Sequence, residues 1–290
     1  MKIFGNYTAL ITPFKNNNEV DYKTLKKLVL RQLEFSTAGI VALGSTAEAP
    51  TLDSYEKHKI MHEIVSIVQN KVPIIAGVNA FSLDDALNQC HARFLDGANA
   101  LLISPPPYIK PSQSALLNFF TTIANNAYIP IIIYNIPSRC GVSLSIDVCK
   151  QLSNHPNIIG IKEASGAVDF AVKLSSLASE SFTIIAGNDN LLLPLLCSNA
   201  KAIISVVGNI HPQICQNIIE SFWSNDILTA IQQFNKHKDL ILSLTKETNP
   251  TLIKYALYKL NLIKLCYRLP LCKPTPKNRK NLSEIIEKYL

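Results

Sequence analysis

The chain has 290 residues, of which 48% are hydrophobic and 17% charged, and a formal net charge of +7. That apolar share excludes a disordered chain, and the length suits one large domain such as an α/β barrel. The charge excludes little: only five of the 28 basic residues are arginines (31, 93, 139, 268 and 279), and the lysines are scattered, unlike the clustered arginines and aromatics of a nucleic-acid face.

In chain order, the first apolar run is 8–11. A helical stretch at 22–35 follows, capped by Asp21, with Leu25, Leu28, Val29 and Leu33 on one side and lysines on the other. Run 40–43 leads into Gly44-Ser45-Thr46-Ala47-Glu48 and a second amphipathic stretch at 54–68, capped by Asp53 and carrying Ile60, Ile64 and Val68. Runs 73–76, 100–103, 131–134, 158–161, 183–186 and 202–206 come next, with Ser82 and Ser112 as caps and Asp84-Asp85 opening a helix. The eight runs are rich in Ile and Val and do not alternate cleanly, which suits parallel strands buried on both faces. Eight strand–helix units predict an α/β fold, a (β/α)8 TIM barrel. A doubly wound open sheet is the alternative, but its G-x-G-x-x-G fingerprint is missing. After the eighth run, 214–224, 226–244, 249–260 and 283–289 read as helices. The expected division is a barrel over 1–224 and a C-terminal helical region over 225–290.

No apolar run approaches the ~18–20 residues that span a bilayer. Asn6, Thr8 and Pro13 interrupt any signal-peptide core behind Lys2. A soluble, cytoplasmic protein is expected. The seven cysteines are odd in number and form no C-x-x-C, so neither a disulfide framework nor a zinc site is expected. They read as small packing residues in a reducing compartment. Cys140 follows Arg139, which could lower its pKa, but packing is the preferred role. His58 and His62 stand i, i+4 without a Glu after His58, so no metal centre is expected.

In a barrel, chemistry sits at the carboxyl ends of the strands. Those ends carry Gly44-Ser45-Thr46-Ala47-Glu48, Ser104-Pro105-Pro106-Pro107-Tyr108, Tyr134-Asn135-Ile136-Pro137-Ser138-Arg139, Lys162-Glu163 and Gly187-Asn188-Asp189. Lys162 ends an uncharged run, and burial there would favour the neutral amine, which can attack a carbonyl and form a Schiff base. Taken alone, it could equally be a lysine reaching solvent at a strand end. Tyr134 could shuttle protons, or be a buried aromatic with a satisfied hydroxyl. Ser45 and Thr46 offer hydroxyls and turn amides to a carboxylate, or form a plain strand-to-helix turn. Arg139 suits bidentate capture of a second carboxylate, or a surface ion pair. Tyr108 follows three prolines that hold the loop extended, and could be no more than a loop anchor.

Three segments in this order (Gly44 to Glu48, Tyr134 to Arg139, and Ile159-Gly160-Ile161-Lys162-Glu163-Ala164) resemble the dihydrodipicolinate synthase / N-acetylneuraminate lyase family of Schiff-base aldolases. The resemblance covers the whole chain, from Thr12-Pro13-Phe14 to Arg268-Leu269-Pro270. Arg139, Glu163 and the stretch Tyr108-Ile109-Lys110-Pro111-Ser112-Gln113 take the synthase form of these motifs rather than the lyase form. The resemblance implies that Lys162 forms an imine with pyruvate, and that Tyr134, Ser45 and Tyr108 form a hydroxyl relay, with Tyr108 reaching in from a neighbouring subunit. It implies that the amides of Ser45 and Thr46 hold the pyruvate carboxylate. Arg139 would bind the carboxylate of L-aspartate 4-semialdehyde, and Gly187 and Ile204 would line the site through their backbones. No metal or organic cofactor is implied, because the imine is itself the electron sink. A homotetramer built from dimers is the family expectation, in lysine and diaminopimelate biosynthesis.

The chain departs from the family pattern in places. Ser45 stands where Thr is usual and keeps the hydroxyl, and Cys140 replaces a Thr. Ala47 replaces a Gly, which would cost about 1 kcal/mol if that position needs φ > 0. Thr251-Leu252 replaces Ile-Pro, so the appended helices could pack differently. Where lysine-inhibited members carry Ser, His, Asn and Tyr, this chain carries Ala49, Ser54, Phe81 and Pro107, so weak or absent lysine inhibition is expected. Two other readings stand beside the synthase: another pyruvate-dependent aldolase, acting on a sugar acid or 4-hydroxy-2-oxoglutarate, and a non-catalytic barrel that binds a small acid.

Overall fold

The computed structural model describes residues 1–288. Eight parallel strands close into a barrel in chain order: β1 (Gly5–Ala9), β2 (Gly39–Ala42), β3 (Ile74–Val78), β4 (Ala100–Ile103), β5 (Ile131–Asn135), β6 (Ile158–Glu163), β7 (Thr183–Ala186) and β8 (Ala202–Ser205). The surrounding helices are α1 (Tyr22–Glu34), α2 (Ser54–Val68), α3 (Leu83–Leu95), α4 (Gln113–Asn126), α5 (Pro137–Cys140), α6 (Ile146–Ser153), α7 (Val168–Leu174), α8 (Leu192–Cys197) and α9 (Gln213–Trp223). Three more follow: α10 (Ile227–Leu244), α11 (Thr251–Lys259) and α12 (Pro276–Glu287). The expected (β/α)8 barrel is the observed fold.

The strands divide the core in two. Ile132, Val41, Leu102, Ile185 and Ile204 point into the barrel, where they meet Tyr7 and Tyr134. Their neighbours Ile131, Ile133, Ile161, Ile184 and Ile203 point outward against the helices. Burial on both faces explains why the runs do not alternate, and each fully buried Ile or Leu stabilises by about 1.5–3 kcal/mol. The caps fall where expected: the side chains of Asp21, Asp53, Ser82 and Ser112 accept from Thr24, Glu56, Asp85 and Ala115 backbone N–H groups.

Two boundaries differ from expectation. The first strand is Gly5–Ala9 rather than 8–11. Asn6, outside the expected run, is buried within the strand, its Nδ2 donating to the buried Thr8 Oγ1 at 3.2 Å. The last helix begins at Pro276, seven residues before the expected 283. Its first turns are polar and carry no apolar periodicity; the Thr275 side chain caps them, and only Leu282 and Ile286 are buried. Tyr289, in the expected helix, lies outside the described residues.

The segment after the barrel is not a detached appendix. Leu240, Ile241, Leu252, Ile253, Ala256 and Leu282 belong to the same apolar cluster as the barrel's outer layer. Arg268 pins it further, through both Glu56 carboxylate oxygens and the Thr51 and Asn18 carbonyls. Among the described residues, no helix is long and apolar enough to cross a membrane.

Candidate active site

The site is built around one register. In the β5–β6 pair, Ile131 stands beside Ile158 but Ile132 stands beside Gly160, so one residue is skipped at Ile159. A one-residue slip exchanges the faces of everything beyond it. Without it, Tyr134 would lie beside Ile161. With it, Tyr134 lies beside Lys162, and both face the barrel interior. Gly160 permits the arrangement, because a Cβ there would sit 2.4 Å from the Thr183 carbonyl oxygen of β7. Lys162 is 5% exposed. Its Nζ lies over the face of the Tyr134 ring, 4.1 Å from the ring centre.

One residue further along, Asn135 and Glu163 are also paired, but they face outward. Asn135 Nδ2 donates to Glu163 Oε2 at 2.7 Å, and the Ser165 N–H donates to Oε1 at 2.6 Å. Asn135 Oδ1 accepts from Ser143 Oγ and the Leu144 N–H. Burial pushes the Glu163 carboxyl up from its ordinary value, and these donors oppose the shift. The pair fastens the two strand ends together at the level of Tyr134 and Lys162.

Above Lys162 opens a cavity of about 290 Å³, lined by Ser45, Thr46, Tyr134, Arg139, Gly187 and Asn249, among others. A narrow cleft beneath it reaches Ile204, which is buried inside the barrel on β8. Gly187 allows the β7 end to approach β6: a Cβ would lie 2.5 Å from that of Ala164, and the Gly187 N–H donates to the Glu163 carbonyl at 2.8 Å. Ser45–Ala47 is a single helical turn after β2. The Ala47 and Glu48 amides bond back to Gly44 and Ser45, so the Ser45 and Thr46 amides come first in the turn, where no carbonyl stands behind them.

The feared strain at Ala47 is absent. The left-handed positions are Leu43 (φ 55°) and Glu48 (φ 56°), on either side of the turn. Ala47 is buried, and its carbonyl accepts from Thr12 Oγ1 at 2.7 Å. Cys140 is buried, and burial pushes its thiol up despite nearby Arg139 and Ser104.

Arg139 sits on the one-turn α5 at the rim, where its Nη2 donates to the Asn249 carbonyl at 2.9 Å. Tyr108 does not join the cluster. It is 91% exposed, with a left-handed φ of 74°, so the three prolines lead into a turn and not a continuing extended loop. Its neighbour Pro107 lines a second cavity of about 530 Å³ together with Ser45, Tyr134, Ala49 and Phe81.

Two contributors, Asn249 and Lys254, carried no signal of a role, and a third, Asp189, was marked only by its place at a strand end. Asn249 donates through Nδ2 to Thr46 Oγ1 at 2.8 Å, so the C-terminal segment forms one wall of the cavity. Asp189, after β7, also lines the cavity, accepts the Val206 and Val207 amides and so fixes the end of β8; burial raises its carboxyl. Lys254 is wholly buried against Glu48, although scattered lysines read as solvated. Burial pushes the Lys254 ammonium down and the Glu48 carboxyl up. Only a search for lysines within apolar helical runs, such as Leu252-Ile253-Lys254-Tyr255-Ala256, would have picked it out.

Fold and site together describe a (β/α)8 barrel with a buried lysine, a tyrosine beside it and a cavity at the carboxyl ends of the strands. A sequence model of the Dihydrodipicolinate synthetase family matches residues 2–289, and the chain belongs to that family. It is 39% identical over 293 aligned positions to the 4-hydroxy-tetrahydrodipicolinate synthase of Sulfurihydrogenibium sp., covering 99% of this chain and 98% of that one. The 4-hydroxy-tetrahydrodipicolinate synthase structure from the methanotroph Methylacidiphilum fumariolicum SolV superposes with a TM-score of 0.96 at 35% identity, over 99% of this chain and 96% of that one. A structure described as the first monomeric dihydrodipicolinate synthase variant also superposes at 0.96, at 31% identity, over 98% and 96% of the two chains.

Proposed function

We propose that the chain is a Schiff-base-forming synthase that condenses pyruvate with L-aspartate 4-semialdehyde to 4-hydroxy-tetrahydrodipicolinate. The observation that carries this reading is the Tyr134–Lys162 register at the floor of the cavity. The Lys162 amine attacks the keto carbon of pyruvate, water leaves, and an imine forms. Tyr134 gives and takes the protons of these steps. The amides of Ser45 and Thr46 hold the pyruvate carboxylate, with Gly187 and Ile204 as backbone walls. Loss of a methyl proton gives the enamine, which attacks the aldehyde carbon. The substrate amine then displaces Lys162 as the ring closes. Arg139 at the rim takes the carboxylate of the semialdehyde and favours a short acid over a polyol, which sets this reading above a sugar-acid aldolase.

The relay is completed by Tyr108 of a neighbouring copy. Its exposure and its left-handed backbone, uncommon for a residue with a side chain, support a role outside its own chain. Pairs of chains assembling into a homotetramer are proposed on that basis, in a reducing cytoplasm that keeps the cysteines as thiols. The barrel over 1–224 would supply the chemistry and 225–290 one wall of the site.

The test is reduction with borohydride in the presence of pyruvate, followed by mass spectrometry. A reduced pyruvyl adduct on Lys162, absent from Lys162→Ala, is expected. No adduct in folded protein would leave the small-acid-binding barrel as the better reading.

A further inference from the structure

The reaction described above uses neither Glu48 nor Lys254, yet these two side chains form an ion pair with no solvent exposure on either partner. Lys254 Nζ donates to Glu48 Oε1 at 2.5 Å. The ammonium is walled in by aromatic rings, with Phe14 at 4.3 Å and Tyr267 at 5.3 Å from their centres. Burying two charges is costly, and apolar residues of similar size often replace such a pair without loss of stability. What an apolar replacement cannot supply is direction, because a charge-assisted hydrogen bond fixes both partners.

The two partners stand at telling places. Glu48 is the left-handed residue that closes the Ser45–Ala47 turn. Lys254 lies on α11, and Asn249, two residues before that helix, donates to Thr46 Oγ1 and accepts from Arg139. So α11 and the residues leading into it reach the turn twice, once from behind through Glu48 and once from the cavity through Thr46. Thr12 gives the turn a third tether at the Ala47 carbonyl.

We propose that the Lys254–Glu48 pair is a positioning device that aims the Ser45–Ala47 turn at the pyruvate carboxylate and thereby couples α11 to occupancy of the site. This rests on the reading of the cavity as a pyruvate site. Coupling is reciprocal, so if α11 orders the turn, filling the site must order α11.

Two experiments test it. In the wild-type protein, amide hydrogen exchange is followed with and without pyruvate. Slower exchange is expected at 45–48 and also at 251–259. Protection at 45–48 with none at 251–259 overturns the coupling, whereas no Lys162 adduct and no protection anywhere overturns the pyruvate reading itself. In the second, Lys254→Met and the double variant Glu48→Gln/Lys254→Met are titrated with pyruvate under borohydride. The expected result is adduct on Lys162 with a half-saturating pyruvate concentration raised about tenfold, against a smaller change in the rate at saturation, in protein that melts near the wild type. Thr12 still holds the turn, so folding is expected to survive. Unchanged half-saturation in either folded variant overturns the proposal. If neither variant folds, the exchange experiment decides.

Discussion

The ends of β5 and β6 carry two buried polar pairs, one residue apart and facing opposite ways. Outward, Asn135 and Glu163 meet two backbone amides and the Ser143 hydroxyl, and both Glu163 oxygens are engaged. Inward, Lys162 and Tyr134 face a cavity that a small molecule can enter. Burial by itself therefore does not mark a reactive group. A buried polar side chain whose partners are all supplied by the protein holds structure together. One that is buried beside open space has bonding capacity left for a ligand.

Substitutions on the two faces should break in different ways. The largest expected effect is inward. Tyr134→Phe removes the hydroxyl and should lower kcat on the order of 10²-fold or more while the protein stays folded, since proton transfer by a placed side chain contributes about 10²–10⁴-fold. Steady-state kinetics with a melting curve checks this; a near-normal kcat would return Tyr134 to the role of a buried aromatic. Next, at the rim, Arg139→Ala should raise KM for the semialdehyde about 10- to 100-fold, from the loss of a charged hydrogen bond of ~1.5–3 kcal/mol. Half-saturation by pyruvate in the adduct assay should barely move if, as proposed, Arg139 meets only the second substrate.

Outward, Glu163→Gln should cost stability and little chemistry. Gln offers one acceptor to two donors, which predicts a loss of about 1–3 kcal/mol and a lower Tm. The pH dependence follows from burial. The folded state raises this carboxyl above 4.5, so it holds the proton more tightly than the unfolded chain. The stability from that proton is fully present below pH 4.5 and is lost as pH rises through the raised value. The deficit of the variant against the wild type should therefore be widest in acid and narrow toward neutrality. A deficit that widens with pH would mean that the ionised carboxylate is the form the fold prefers.

The smallest effect is expected in the larger cavity. Ala49, Phe81 and Pro107 line it, and the last two have no side-chain hydrogen bonds to give. Millimolar lysine should leave the initial rate unchanged; strong inhibition would show that backbone groups suffice there.

Much of this was legible without coordinates. The eight Ile- and Val-rich runs and the capped stretches between them specify the barrel, because a helix or strand that must bury a face writes that requirement into its spacing. Lys162, Tyr134, Ser45, Thr46 and Arg139 stand out because reactive groups gather at strand ends. The contributions of Asn249 and Lys254 were not legible. Each depends on a partner distant in the chain, Thr46 in the case of Asn249 and Glu48 in the case of Lys254. Polar patterning in a single segment carries no record of such pairs. The same holds for Asn6, which looks like a break and is a buried strand residue whose backbone N–H donates to Gln216 Oε1, far along the chain, at 2.7 Å.

The sequence by itself thus determined the barrel and which residue types stand at its mouth, since both follow from local apolar periodicity and the order of the strands. The tertiary structure alone decided that Lys162 faces Tyr134, because that rests on a one-residue slip at Ile159 between two strands, and a slip leaves no mark in the spacing of either. It also decided that the last 60-odd residues close the site, because the buried pair and the Asn249 contact form only when segments about 200 positions apart are folded together.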